Sequence, residues 1–170
     1  MTVATGCLLN AQTAPSNPLS TEAQQAWTRT MNNAIAAAAK MPEDDYGYKP
    51  SPESMSFRDI VAHVADSAMG ACTGLNGERK TAGAAQMKTK AELAGALQEA
   101  KTACETTYTP NDTKAVEMIT GGRGGARSRL STLWGNTAHI EHEYAQMAVL
   151  LRLKGLVPPS SEGRGGRGGR

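Results

Sequence analysis

Apolar positions recur at spacings of three and four in four separate stretches of the chain, the period of a helix with one buried face. In the first stretch the stripe is Trp27, Met31, Ala34, Ile35 and Ala38. It predicts a helix from Thr21 to Lys40, with Ser20 as N-cap behind the prolines of 15–20 and Pro42 as the stop. Residues 42–55 hold three prolines, a glycine and two tyrosines and read as a loop. Ser56 and Asp59 then make a capping box, with Asp in place of Glu, ahead of Phe57, Ile60, Val61, Val64, Ala68 and Ala71. Gly74 and Gly77 mark the end of that second helix. Thr89 and Glu92 repeat the capping pattern before Leu93, Leu97, Ala100 and Cys104. A break surrounds Pro110, residues 113–120 are expected to form a short helix, and GGRGGAR at 121–127 is too glycine-rich for regular structure. The longest helix is expected from Ser128 to Lys154, with Gly155 at its C′ position and Pro158-Pro159 preventing continuation.

Four amphipathic helices in one chain predict an all-α, antiparallel four-helix bundle with no sheet. The second connection is roughly a dozen residues and the third about twenty, long for a simple up-down arrangement, so the latter is expected to cross the bundle or cover one end. Composition agrees: aromatics are only 4% of 170 residues, whereas strands favour aromatic and β-branched side chains. The length suits one domain, expected over 18–161, between a leader at 1–17 and a disordered Arg/Gly tail at 162–170. The leader resembles the end of a secretory signal but lacks the basic region and the long apolar core. A signal remnant would place the protein in the periplasm or outside the cell; otherwise the expectation is cytoplasmic. A lipoprotein reading of Cys7 is weaker, because that cysteine lies too near the start. No stretch of 18 apolar residues exists to span a membrane. Of the three cysteines, Cys7 falls in the leader and leaves Cys72 and Cys104 as a pair. Export would permit a disulfide between them, while a reducing compartment would keep both as small buried hydrophobes, the reading slightly preferred.

The net charge is only +2, so basic character is local, at 123–129 and 164–170. Arg164, Arg167 and Arg170 on a glycine backbone could touch phosphates. Three charges give at most weak, salt-sensitive nucleic-acid binding, and an unselected disordered tail is the preferred reading. All three histidines fall on predicted helices: His63 on the second, His139 and His142 on the fourth. His63 lies at the edge of its apolar stripe, and His139 and Glu143 share a face four residues apart. His142 is an alternative partner, about 100° from Glu143 around the helix. Imidazole with carboxylate suits Zn, Fe, Ni or Mn, and three protein ligands with an open position make a catalytic type of site. The spacing alone is a weak signal, since any His near a His or Glu on a helix gives it. Asp66 is a candidate to orient the His63 ring, or a solvated helix residue. Tyr144 and Trp134 are expected in the core, while Tyr46 and Tyr48 are candidates to cover a pocket mouth. No nucleophile motif, phosphate loop or Cys-x-x-Cys is present.

The segments Ser56–Asp66 and His139–Met147 resemble the second-helix and last-helix signatures of DinB-like proteins. The loop 41–46 and the stretch 151–161 are similar to an exported bacterial branch of that family. The resemblance covers about residues 18–161. It implies a divalent metal held by one His of the second helix and a His-x-x-x-His pair of the last. His63 and His139 carry over directly. The third position falls on Glu143 where the family has histidine, so the site is expected to be two His plus a carboxylate, a shifted set using His142, or an empty pocket. Of these the chosen metal ligands are His63, His139 and Glu143. Some relatives are thiol-dependent transferases or isomerases. The expected function is therefore a metal-dependent enzyme acting on a small molecule, with a thiol co-substrate or a hydrolytic water. The competing expectation is a non-catalytic or stress-associated bundle with a degraded pocket. A homodimer is left open.

Overall fold

Both predicted capping boxes form. In a computed structural model, which describes residues 16–120 and 125–163, Ser56 accepts from the Asp59 backbone N–H and Thr89 from that of Glu92, each reciprocated by the acidic side chain. They start α2 (Phe57–Leu75) and α3 (Lys90–Glu105). α5 (Arg129–Leu153) begins at Ser128, whose hydroxyl accepts from the Ser131 N–H. It ends at Gly155, which takes the positive φ of +73° that a C′ residue needs. Residues 1–15 of the leader expected at 1–17, residues 121–124 of the glycine-rich segment and the arginines at 164–170 lie outside the described residues.

The first helix starts earlier than its cap pattern indicates. α1 is Pro18–Lys40, with Pro18 at N1 and Asn17 before it. Ser20 is inside the helix and buried; its hydroxyl donates to Asp112 Oδ1 at 2.6 Å, 92 residues away. The short helix expected at 113–120 is the single turn α4 (Asp112–Ala115). The expected absence of strands is also corrected. Met118–Ile119 (β1) and Arg127–Ser128 (β2) pair antiparallel as a two-residue ladder.

The helices α1, α2, α3 and α5 enclose one core. Its centre includes Trp27, Met31, Phe57, Ile60, Leu93, Leu97, Ile140 and Met147, and Tyr108 stacks on Trp27 at 4.8 Å between ring centroids. The Lys90 ammonium, at the start of α3, donates to the Ala39 and Met41 carbonyls at the end of α1, so those two helices run antiparallel. Cys72 and Cys104, each in the last turn or so of its helix, meet side by side, so α2 and α3 run parallel. The antiparallel relation thus holds for α1 with α3 and for α2 with α5, where His63 meets His139 and Cys72 meets Asn136, and the chain between the parallel α2 and α3 must return along α2. A 19-residue helix is about 28 Å long, and the 14 residues at 76–89 can extend over about 46 Å.

The parallel pairing also corrects the preference for free thiols. Cys72 and Cys104 are joined by a disulfide, with Cα atoms 5.1 Å apart and both residues fully buried. Trp134, expected in the core, is 43% exposed on the outer side of α5. Tyr144 is buried as expected, its hydroxyl donating to Ser160 Oγ and accepting from the Ser160 N–H. Tyr46 and Tyr48 fasten the α1–α2 loop. The buried Tyr46 hydroxyl donates to the Ala38 carbonyl at 2.7 Å, burial pushes its phenol well above the ordinary range, and the Lys154 ammonium sits over the Tyr48 ring. Among the described residues no helix is long and apolar enough to cross a membrane.

Candidate metal centre

The antiparallel contact between α2 and α5 sets His63 opposite His139. Their Nε2 atoms are 3.0 Å apart and the rings meet edge to face, with centroids 5.0 Å apart. One turn along α2, Ser67 Oγ reaches both, at 3.4 Å from His63 Nε2 and 3.3 Å from His139 Nε2. One turn along α5, Glu143 Oε1 stands 4.0 Å from His63 Nε2. One ligand atom from each of His63, His139 and Glu143 lies within 4.8 Å of the other two. His142 is exposed and outside this group, because its position on α5 turns it toward solvent. Of the two last-helix candidates, the structure brings Glu143 to the histidines.

The environments of the three differ. His63 keeps 44% of its side chain exposed, His139 is half-buried, and Glu143 is only 5% exposed. Burial holds the His139 imidazole below its ordinary pKa; Glu143 pulls the other way, and His63 and His142 add to the depression. The Glu143 carboxylate takes one protein hydrogen bond, from Gln146 Nε2 to Oε2 at 2.9 Å. Its other oxygen faces the histidines with no hydrogen-bond donor among the described residues. A carboxylate on a nearly buried side chain, with one oxygen lacking a protein donor, has room for a cation there. The side that lacks a donor is the side where the two imidazoles converge.

Two nitrogens on one tetrahedral zinc-sized ion stand roughly 3.3 Å apart, given metal–nitrogen bonds of about 2.0–2.1 Å. The histidines would part by about 0.3 Å, and Glu143 Oε1 would close on His63 by about 0.7 Å. This is within the reach of rotamer adjustment, so the residues fit a divalent ion.

Asp66 does not orient His63. Its carboxylate accepts from Thr81 Oγ1 at 2.6 Å and from the Ala84 and Ala85 N–H groups. Burial alone would raise its pKa, but these hydrogen bonds outweigh it and hold the carboxyl below the ordinary range. Asp66 therefore clasps the chain returning along α2. Two residues that the sequence reading did not assign to the site belong to it. Ser67 is marked only by its place one turn after His63, and Gln146 by its i+3 position from Glu143.

The sequence profile of the DinB superfamily matches residues 26–147, well over half of the chain. No curated protein matches it. Among solved structures, a DinB-like protein from Bacillus cereus ATCC 10987 is similar at a TM-score of 0.66 and 18% identity, covering 81% of this chain and 93% of that one. A DinB-like protein from Bacillus subtilis is similar at 0.61 and 16%, covering 79% and 92%. At such identities the structural likeness speaks for the fold alone. The profile match extends from α1 to the last-helix histidines, and with it the chain belongs to the DinB superfamily.

Proposed function

We propose that the protein is a divalent-metal-dependent enzyme acting on a small molecule, as a thiol-dependent transferase or a hydrolase. The observation that carries this reading is the buried Glu143 carboxylate aimed at the paired His63 and His139 imidazoles. Three such ligands suit Zn, Ni, Fe or Mn, and the ion would serve as Lewis acid or activate a thiolate or water. The protein's own part is to hold the three ligand atoms together. Gln146 steadies Glu143 through Oε2 and leaves Oε1 for the ion. Ser67, within reach of both imidazoles, offers a hydroxyl beside them.

A second reading has its own observation. His63 and His139 satisfy each other directly, Nε2 to Nε2 at 3.0 Å, an arrangement that a bundle with a degraded pocket would also keep. Elemental analysis of protein purified without an affinity tag separates the two. The enzyme reading expects one equivalent of metal, lost with His139→Ala and Glu143→Ala and retained with His142→Ala. Absence of metal, together with no zinc uptake on titration, favours the degraded pocket. Loss confined to His142→Ala, among last-helix changes, would show that the ligand set is displaced by one residue.

A further inference from the structure

Immediately beyond His139, an open groove of about 450 Å³ runs between α2 and α5. We propose that this groove is the substrate subsite for a small molecule carrying an oxyanion, a carboxylate or a phosphate, gripped by Arg79 and Arg127. The proposal rests on the reading of His63, His139 and Glu143 as the reacting centre and adds the class of substrate.

The volume is in the range of small-molecule sites. Ser67 and His139, which belong to the cluster, also line the groove, so an occupant would contact both. No Asp or Glu lines it; its polar groups are guanidinium, hydroxyl, amide and imidazole. Among the described residues neither Arg79 nor Arg127 has a carboxylate partner within salt-bridge distance. Two guanidinium groups without counter-charge, facing one concavity, match the forked geometry of carboxylate or phosphate oxygens.

Both arginines are held in place by local hydrogen bonds of their own segments. α2 ends in a reversal in which the Glu78 N–H bonds the Thr73 carbonyl and Gly77 takes a φ of +93°. The chain then runs back along α2. Thr73 Oγ1 accepts from the Lys80 N–H, and Asp66 receives Thr81, Ala84 and Ala85. Arg79 is thus flanked by two residues, Glu78 and Lys80, that are both bonded to Thr73. Its guanidinium lies over Gly70, where a Cβ would stand 3.4 Å from Nη2, so the group rests against nearly bare helix. Arg127 sits in β2, and its Nε donates to Thr132 Oγ1 at 2.9 Å, which directs the remaining nitrogens outward. Between them the floor passes Gly135, whose missing Cβ would meet nothing within 4 Å.

A larger cleft of about 670 Å³ lies between α1 and α5 and also holds two arginines, Arg29 and Arg152. There Glu141 lines the same space and Arg152 already donates to Ser161 Oγ. The larger cleft also lacks the histidines. The anion-selective environment is the smaller groove.

The test is a titration of the full chain with inorganic phosphate and, separately, with malonate, followed by backbone amide NMR. It is run on chelator-treated protein and on zinc-loaded protein. The expected result is saturable binding of at least one anion to both forms, with shifts at Ser131 and Gly135. Arg79→Gln and Arg127→Gln should each weaken it about tenfold or more, the effect of losing one charged hydrogen bond. Arg29→Gln should leave it unchanged. Preference for phosphate identifies a phosphate-bearing ligand and preference for malonate a carboxylate. If Arg79→Gln does not fold, Arg127→Gln and the charge-retaining Arg79→Lys decide. No binding of either anion, or affinity indifferent to both arginines, overturns the proposal. So does binding confined to the zinc-loaded form and abolished by His139→Ala, since the anion would then sit on the metal. Failure of the metal reading would leave arginine-dependent binding intact in the chelator-treated protein.

Discussion

Tyr108 shows how much one buried hydroxyl can hold. It donates to the Leu133 carbonyl at 2.8 Å, meets Thr137 Oγ1 at 3.1 Å and accepts from Asn136 Nδ2 at 3.1 Å. Burial pushes its phenol up to about 12, with the Thr137 and Asn136 hydrogen bonds pulling back. Tyr108→Phe keeps the stack on Trp27 but strips the oxygen acceptor from a buried amide. Urea unfolding should show a loss of about 1–3 kcal/mol. Asp66 gives a pH prediction. Its folded pKa is depressed, so its stabilisation is complete above the ordinary carboxyl value of about 4 and is lost as the pH falls through the lower folded value. Asp66→Asn should lower stability at neutral pH and flatten that part of the acid limb; an unchanged limb in a thermal unfolding series would refute the clasp. The residue scale is also where the sequence misled. Asp66 lies three positions from His63, a natural place for a ring-orienting partner, but its oxygens go to residues 15 to 19 positions onward. No local spacing encodes that.

At the scale of elements, what was legible is what is local. The boxes at Ser56/Asp59 and Thr89/Glu92 are closed within one turn, so residue type and spacing suffice to find them. Ser20 has the same chemistry, but its hydroxyl is taken by Asp112, and the helix starts at Pro18 instead. The histidine pair was picked out by the likeness of its two segments to the family's helix signatures, since helical spacing alone gives only a weak signal. Arg79 and Arg127 were not readable, since Arg79 is placed by the reversal after α2 and Arg127 by strand pairing with Ile119, neither of which residue type and helical spacing encode. Within α3, Gly95 is a helical position where an added Cβ would meet nothing within 4 Å. Gly95→Ala should therefore raise stability by about 0.5–1 kcal/mol. In a thermal melt that amounts to an upward shift of about 1–4 °C. A lower melting temperature would mean that the exposed face of α3 is occupied by something else.

For the whole molecule, parallel α2 and α3 are the feature that simple up-down reasoning could not supply. It follows from how far residues 76–89 can reach, a property of length and not of residue type. The disulfide closes a loop over a sequence separation of 32 between those two helices. Reduction should cost roughly 2–4 kcal/mol, seen as a melting temperature roughly 5–15 °C lower in reductant. An equal melting temperature in both conditions would show that the bond adds nothing to the fold. The same bond changes what a protease would leave behind. The returning segment has its exposed stretch at 77–81, between the two cysteines in sequence. A single cut there would separate the chain into two peptides that remain covalently joined. The nicked protein should run as one band on a denaturing gel without reductant and as two with it.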